Sequence, residues 1–224
     1  MSQSRKSLST VALVAIAIAM GAVVGAAGIY WKASPSGNAP ATESLVSADG
    51  AGCKADAEML ATLKPLAKGE VAAMSIREEP VVLPELEFVS EQGEALTLAD
   101  FAGQTLLVNL WATWCAPCRA EMPALAELQS ELGDDGFKVL AINIDTGDVS
   151  KPKAFLDEIG VANLGLYRDA SMGVFNKLKK ESLAFGLPVT LMVGKDGCML
   201  GAMNGPAEWA SDDAKALVEG LKGI

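Results

Sequence analysis

Cys115 and Cys118 stand three residues apart in W-A-T-W-C-A-P-C-R-A-E-M-P (Trp111 to Pro123), in a chain with only four cysteines and no histidine. Two thiols at that spacing can clip a metal, staple a fold or cycle between dithiol and disulfide. Zinc takes about four ligands, usually Cys and His. Without His or a second C-x-x-C, it would have to recruit Cys53, Cys198 or carboxylates. Copper favours thiolates helped by His or thioether, but Met122, Met192, Met199 and Met203 read more simply as core filler. No metal and no cofactor is expected. The missing histidines also remove imidazole bases and proton shuttles.

The redox reading has a mechanism. Cys115 falls where a strand ends and a helix begins, so unpaired N–H groups and the helix dipole favour its thiolate. That makes Cys115 the nucleophile. Cys118 lies one turn further in, more buried, and is placed to resolve the mixed disulfide. Pro117 starts the helix and keeps the pair close.

The N-terminus indicates the compartment. Residues 7–31 carry no formal charge and are mostly Ala, Val, Ile, Leu, Gly and Met. As a helix they would span roughly 37 Å, ample for a bilayer core. Arg5 and Lys6 precede the run and should keep residues 1–6 cytoplasmic, which exports everything after Trp31. A single-pass anchor in the inner membrane is expected, with a cleavable signal peptide as the alternative. Gly21-x-x-x-Gly25 is a weak cue for packing between anchors. Residues 32–52 turn to Ala, Ser, Pro, Gly, Asn and Asp and read as a flexible tether. Residues 53–224 are enough for one domain, and no internal repeat is evident.

The formal net charge is −10. Setting aside Arg5 and Lys6 leaves 16 basic against 28 acidic residues, or −12, on the exported part. Such a surface argues against nucleic acid or anionic lipid as a partner. It could select basic partners, although a solvated acidic face that keeps the domain soluble explains it as well.

Patterning supplies the elements that must position the cysteines. A helix is expected over residues 53–68, kinked or ended by Pro65. Short strands are expected at 85–89 and 95–98, around a turn. Thr105 to Trp111 is nearly all apolar, like a strand buried on both faces. A helix follows from about Pro117 to Leu132, then a strand at 137–144 and helices at 151–159 and 172–180. Residues 189–193 and 198–203 read as a hairpin, and a helix over 208–221 closes the chain. The pattern predicts an α/β fold whose mixed sheet carries helices on both faces, with extra strands and a helix at its N-terminal side.

W-A-T-W-C-A-P-C, Pro123 and G-L-P-V-T (Gly186 to Thr190) together resemble the thioredoxin superfamily. The anchor, the strand pair at 85–98 and F-A-G-Q-T-L-L-V-N-L-W-A-T-W-C resemble its TlpA branch, with a likeness covering residues 84–221. The resemblance implies a thioredoxin fold and an anchored, periplasm-facing thiol:disulfide interchange protein. It also implies that Pro188 is the family's cis-proline, presenting the backbone of Leu187 to a partner. Trp114, Ala116 and Pro117 would then face that partner, and Trp111 would pack beneath the site. Asn109 departs from the buried acid of thioredoxin itself and cannot accept a proton as an acid does. Glu121, three residues after Cys118 on the same helix face, is the candidate proton acceptor in its place. A surface glutamate near a helix start is the plainer alternative.

Cys53 and Cys198 remain. The resemblance implies a second, structural disulfide, and exported domains commonly pair their cysteines. A Cys53–Cys198 bridge would close about 146 residues, which the chain-entropy estimate places near 5 kcal/mol. Two buried free thiols are the alternative.

The direction of electron flow leans toward reduction, because Ala116-Pro117 puts no cation between the cysteines. The resemblance implies electrons from a membrane thiol donor. It also implies protein disulfide substrates, with a copper chaperone, an oxidase subunit or an apocytochrome as candidates. A thiol oxidase or isomerase and a non-catalytic docking scaffold are the competing readings. Peroxide reduction is weaker again.

Overall fold

The computed structural model describes residues 52–224. The expected cytoplasmic N-terminus, the anchor and all of the tether but Gly52 lie outside the described residues. Among those that are described, no helix is long and apolar enough to cross a membrane.

Helix α1 (Ala57–Leu63) starts where Asp56 accepts a hydrogen bond from the Met59 N–H at 2.9 Å. Pro65 cannot supply the next helical N–H, and the chain tightens into a 3-10 turn over Lys64–Leu66. Strands β1 (Ser75–Val82), β2 (Phe88–Val89) and β3 (Ala95–Leu96) precede the core strand β4 (Thr105–Trp111). Then come α2 (Ala116–Leu132), β5 (Phe137–Asn143), α3 (Ser150–Glu158), β6 (Tyr167–Arg168), α4 (Gly173–Lys180), β7 (Val189–Val193), β8 (Cys198–Asn204) and α5 (Asp212–Lys222).

The eight strands form one sheet in the order β1-β8-β7-β4-β5-β6-β2-β3. β4, β5 and β6 are parallel neighbours, and every other pairing is antiparallel. All seven residues of β4 are buried, as a strand covered on both faces requires. Leu107 and Trp111 turn to one face, where they pack with Leu60, Met122, Leu125, Phe155 and Leu217 from α1, α2, α3 and α5. Leu106, Val108 and Leu110 turn to the other, where α4 contributes Val174 and Leu178. Gly220 lets α5 lie close on the 3-10 turn after α1, because a Cβ there would meet Leu66 Cδ1 at 2.5 Å.

Several elements differ from the sequence expectation. Of the strand expected at 85–89 only Phe88–Val89 pairs, and the helix expected over 53–68 is regular only from Ala57 to Leu63, where Asp56 caps its start. β1 escaped the pattern because Ser-Ile-Arg-Glu-Glu-Pro-Val-Val is polar and contains Pro80. It is an edge strand whose register with β8 shifts between Ile76 and Val81, and an edge tolerates both features. The strand expected at 95–98 stops at Leu96, since Thr97 and Asp100 form a capping box that opens a 3-10 helix over Leu98–Phe101. β6 has only two residues, too few to show alternation. The last helix begins at Asp212 rather than near Glu208, because Ser211 caps it and Trp209 is fully buried ahead of it.

A disulfide joins Cys53 to Cys198, with Cα atoms 5.8 Å apart. It fastens the segment before α1 to the start of β8, and a hydrogen bond from Lys54 N to Asp196 Oδ2 (2.5 Å) reinforces the join. The bridge spans a sequence separation of 145 residues. Its loss releases a large part of the unfolded chain from constraint. A Cys53→Ser/Cys198→Ser double variant is expected to lose about 2–5 kcal/mol. Urea unfolding of the oxidised soluble domain checks this, and an unchanged midpoint would show that the bridge contributes no stability.

Candidate active site

β4 delivers the chain to the site and α2 receives it. Between them, residues Ala112 to Trp114 turn over the C-terminal end of the sheet. Buried Asp145 fixes this turn: its Oδ2 accepts from Thr113 N (3.0 Å) and its Oδ1 from Thr113 Oγ1 (3.1 Å). Asn143 Nδ2 holds the same carboxylate at 2.8 Å, and Arg168 Nη2 donates to the Asp145 carbonyl at 3.0 Å. Trp111 lies buried beneath, its ring 5.7 Å from that of Phe155. Nothing in the spacing of Asp145, Asn143 and Arg168 announced this clamp.

Cys115 is the N-cap of α2, and its Sγ accepts from the Cys118 N–H at 3.3 Å. The two cysteines are disulfide-bonded, with Cα atoms 5.3 Å apart. Their environments differ. Cys115 keeps 6% of its surface exposed, whereas Cys118 has 0%. An incoming thiol or disulfide can therefore reach only Cys115. When the bond is reduced, the open N–H groups of the first helical turn face the Cys115 sulfur and favour its thiolate. Trp114 stands 64% exposed beside it, with Ala116 and Pro117 also exposed.

The Leu187–Pro188 peptide bond is cis. Leu110 pairs with Val189, so continuing the register sets Pro188 opposite Trp111, at the sheet end that carries Cys115. Leu187 is half-buried and packs on the core cluster that includes both cysteines. Just before it, Phe185 is 73% exposed. Asn204 braces this loop, accepting from Phe185 N at 2.8 Å and donating to Leu183 O at 3.1 Å. Pro188, Leu187, Trp114, Ala116, Pro117 and the cysteine pair thus share one end of the molecule. Cys53 and Cys198 do not: Cys198 opens β8 beyond Met199, which pairs with Val193 at the opposite end of β7.

Glu121 is buried rather than a surface residue of the helix start. Three donors point at its carboxylate: Asn109 Nδ2 (2.8 Å) on Oε1, with Trp209 Nε1 (3.2 Å) and Ala207 N (3.3 Å) on Oε2. Burial pushes its pKa up from 4.5 to about 7, and the hydrogen bonds from Asn109, Trp209 and Ala207 oppose that rise without cancelling it. Asn109, the departure noted in the sequence, is the amide that holds this acid, and it also donates to Thr190 Oγ1 at 3.0 Å. Its Oδ1 has no partner, so a rotated amide would offer an acceptor to the protonated carboxyl. Trp209 and Ala207 went unrecognised as site residues, since 86 or more positions separate them from Glu121. Among the described residues, no group of three or more His, Cys, Asp or Glu gathers as metal ligands would.

A carboxyl that ionises near 7 can hold or release a proton in the range where a buried thiol must lose one. It also leaves a thermodynamic signature. The folded pKa lies above the unfolded one, so the folded state binds more protons between pH 4.5 and 7. Stability from this group is therefore full below about pH 4.5 and falls by about 3 kcal/mol as pH rises to about 7. In a Glu121→Gln variant that slope should vanish from urea-unfolding curves, and the bend near pH 7 in its exchange rate should vanish too. Identical pH profiles in both proteins would remove Glu121 from the proton chemistry.

Comparison with known proteins gives the family and the fold. The Redoxin family profile matches residues 77–218, more than half of the chain. A thioredoxin-like protein YneN of Bacillus subtilis (strain 168) is 41% identical over 76 residues, which are 33% of this chain and 44% of that protein. A thiol-disulfide oxidoreductase ResA of Bacillus thuringiensis subsp. konkukian (strain 97-27) is 27% identical over 122 residues, 54% of this chain and 67% of that one. The chain thus spans under half the length of the first relative and about two thirds of the second. Among solved structures, a thiol:disulfide interchange protein of the thioredoxin family from Chlorobium tepidum TLS superposes with a TM-score of 0.54 at 22% identity. That match covers 65% of this chain and 98% of that one, and it shows the thioredoxin-like fold. The chain belongs to the Redoxin family, and the disulfide-bonded Cys115–Cys118 pair lies within the matched residues.

Proposed function

We propose that this chain is a TlpA-like, membrane-anchored oxidoreductase that reduces disulfides of exported partner proteins. The observation that carries this reading is the asymmetry of the cysteine pair. One sulfur is open to a partner and the other is sealed beneath it, with a carboxyl of pKa about 7 on the same helix. Reduction proceeds in two exchanges. The Cys115 thiolate attacks the partner disulfide, expelling one partner thiolate and forming a mixed disulfide. Cys118, having given up its proton, then attacks Cys115, releasing the second partner thiolate and closing the Cys115–Cys118 bond. Glu121 is the candidate to accept the Cys118 proton. Leu187 and Pro188 offer backbone beside the reacting sulfurs, where an extended partner segment can lie.

The reductive direction follows from what stabilises the thiolate. Ala116 and Pro117 set no charge between the cysteines, and Arg119, which follows the second one, has its guanidinium stacked on Phe155. A thiolate without a cation in the C-x-x-C turn belongs to a less oxidising couple. The uncharged run at 7–31 supports an inner-membrane anchor with the domain in the periplasm. Electrons would then have to arrive from a membrane thiol donor. A copper chaperone, an oxidase subunit or an apocytochrome are the partners that the TlpA likeness suggests.

Acid-quenching whole cells, alkylating free thiols and mapping each cysteine by mass spectrometry tests this. Reduced Cys115 and Cys118 alongside linked Cys53 and Cys198 is the expected result. A mostly oxidised Cys115–Cys118 pair in cells with an intact donor would reverse the direction. Retention of cellular function by Cys115→Ser would reduce the protein to a docking scaffold.

A further inference from the structure

Beside the cysteine pair lies a shallow cleft of about 370 Å3, largely open to solvent and lined by Thr113, Arg119, Lys151, Ala154, Phe155 and Glu158. It begins within one helical turn of the nucleophile, because Arg119 N donates to the Cys115 carbonyl at 3.1 Å. Lys151, Ala154, Phe155 and Glu158 follow the i, i+3, i+4, i+7 spacing, so one face of α3 forms a wall. Arg119 of α2 forms the other. The Arg119 guanidinium sits 5.0 Å over the Phe155 ring, which is itself packed on buried Trp111. Stacking on a fixed aromatic restrains the guanidinium and leaves its N–H fork unpaired.

The charges here run against the rest of the surface. Most lysines of the described domain already have anionic or carbonyl partners, as with Lys64–Glu78, Lys153–Glu91, Lys177–Glu87 and Lys222–Asp134. Neither Arg119 nor Lys151 is in an ion pair among the described residues, and both are exposed. Glu158 is the one acid on the cleft wall, seven residues along α3 from Lys151 and so about 10 Å away. Two further acids lie near that end, but Asp145 is engaged by Thr113 and Asn143, and Asp148 by Ser150 N. Arg119 and Lys151 are therefore the unpaired charges lining the end nearest the cysteines, on a chain whose overall charge is −10.

We propose that this cleft is a specificity subsite for a carboxylate side chain flanking the reactive cysteine of the protein substrate. The inference rests on the oxidoreductase reading and deepens it. The acidic surface as a whole favours basic partners at long range, but beyond a Debye length of about 10 Å that field is largely screened. Once the partner's sulfur is engaged by Cys115, two unpaired cations at contact range decide which flanking residue is accepted. An Asp or Glu beside the cysteine satisfies them, and a Lys or Arg is rejected by like charge. Thr113 also lines the cleft, with its hydroxyl committed to Asp145.

The test uses three synthetic disulfide-linked peptides identical except for Glu, Gln or Lys next to one cysteine. Their second-order exchange rates with the reduced protein are compared at low and high salt. The Glu peptide should react about three- to tenfold faster than the Lys peptide at low salt, the scale of exposed ion pairs acting together. High salt should shrink that ratio, and Arg119→Gln/Lys151→Gln should abolish it. Lys179→Gln/Lys180→Gln, on α4, should leave it intact. Equal rates for all three peptides, or a preference that survives Arg119→Gln/Lys151→Gln, would overturn the subsite while leaving the oxidoreductase reading in place. Failure to exchange with any peptide would overturn both.

Discussion

The buried carboxylate of Glu121 is the constraint around which the site is arranged. Taking an ionisable group out of water is expensive unless hydrogen bonds replace what water supplied. Here they come from three parts of the chain. Asn109 reaches from β4, Ala207 offers its backbone N–H and Trp209 its indole, the latter two from the loop between β8 and α5. Satisfying one side chain of α2 therefore ties that helix to the central strand and to the C-terminal segment. It also explains why Trp209 is fully buried and why α5 starts only at Asp212. The residual cost of burial remains as a pKa near 7, and that cost places the acid in the range where thiol chemistry operates.

The second constraint is the clamp on the turn before Cys115. A helix N-cap sits wherever the preceding loop leaves it, and a loop of three residues has few internal hydrogen bonds. Asp145 removes that freedom by holding both the backbone N–H and the hydroxyl of Thr113. Because Asp145 stands two residues past the end of β5, the position of Cys115 is referred to the parallel pair β4–β5. Trp111 and Phe155 complete the support from below. Trp114 is exposed on this clamped turn, and Phe185 is exposed on the loop that Asn204 braces. Exposed aromatics of that size are interaction surface more than packing.

Much of this was legible in the sequence where the signal is local. The apolar run of β4, the C-A-P-C pair at a helix start and the order of the core elements follow from periodicity and from the chemistry of Cys and Pro. What escaped is non-local. The polar, Pro-containing β1 forms only because β8 offers it an edge. Helical spacing placed Glu121 on the same face as Cys118. It said nothing of burial, because the groups that bury and satisfy Glu121 come from 86 to 88 residues further along the chain. In the sequence, Asn109 reads only as an amide that cannot take the proton a buried acid would. With Glu121 in view, it becomes the donor that an acid in this position needs.

The chain carries two disulfides, and the fold keeps their chemistries apart. Cys115–Cys118 lies at the end of the sheet where β4 finishes and β7 starts, while Cys198 lies past the other end of β7. A five-residue strand separates them by about 17 Å, well beyond thiol–disulfide exchange distance. The exchange site has what reactivity needs: a helix N-terminus, a reachable sulfur and a nearby acid. The Cys53–Cys198 bridge has a hairpin strand at one side, and Asp196 holds the flanking backbone through Lys54 N and Cys198 N. A thiolate formed at Cys115 cannot reach it without unfolding the sheet between them. One sequence can therefore hold a disulfide placed for exchange and a disulfide placed to persist.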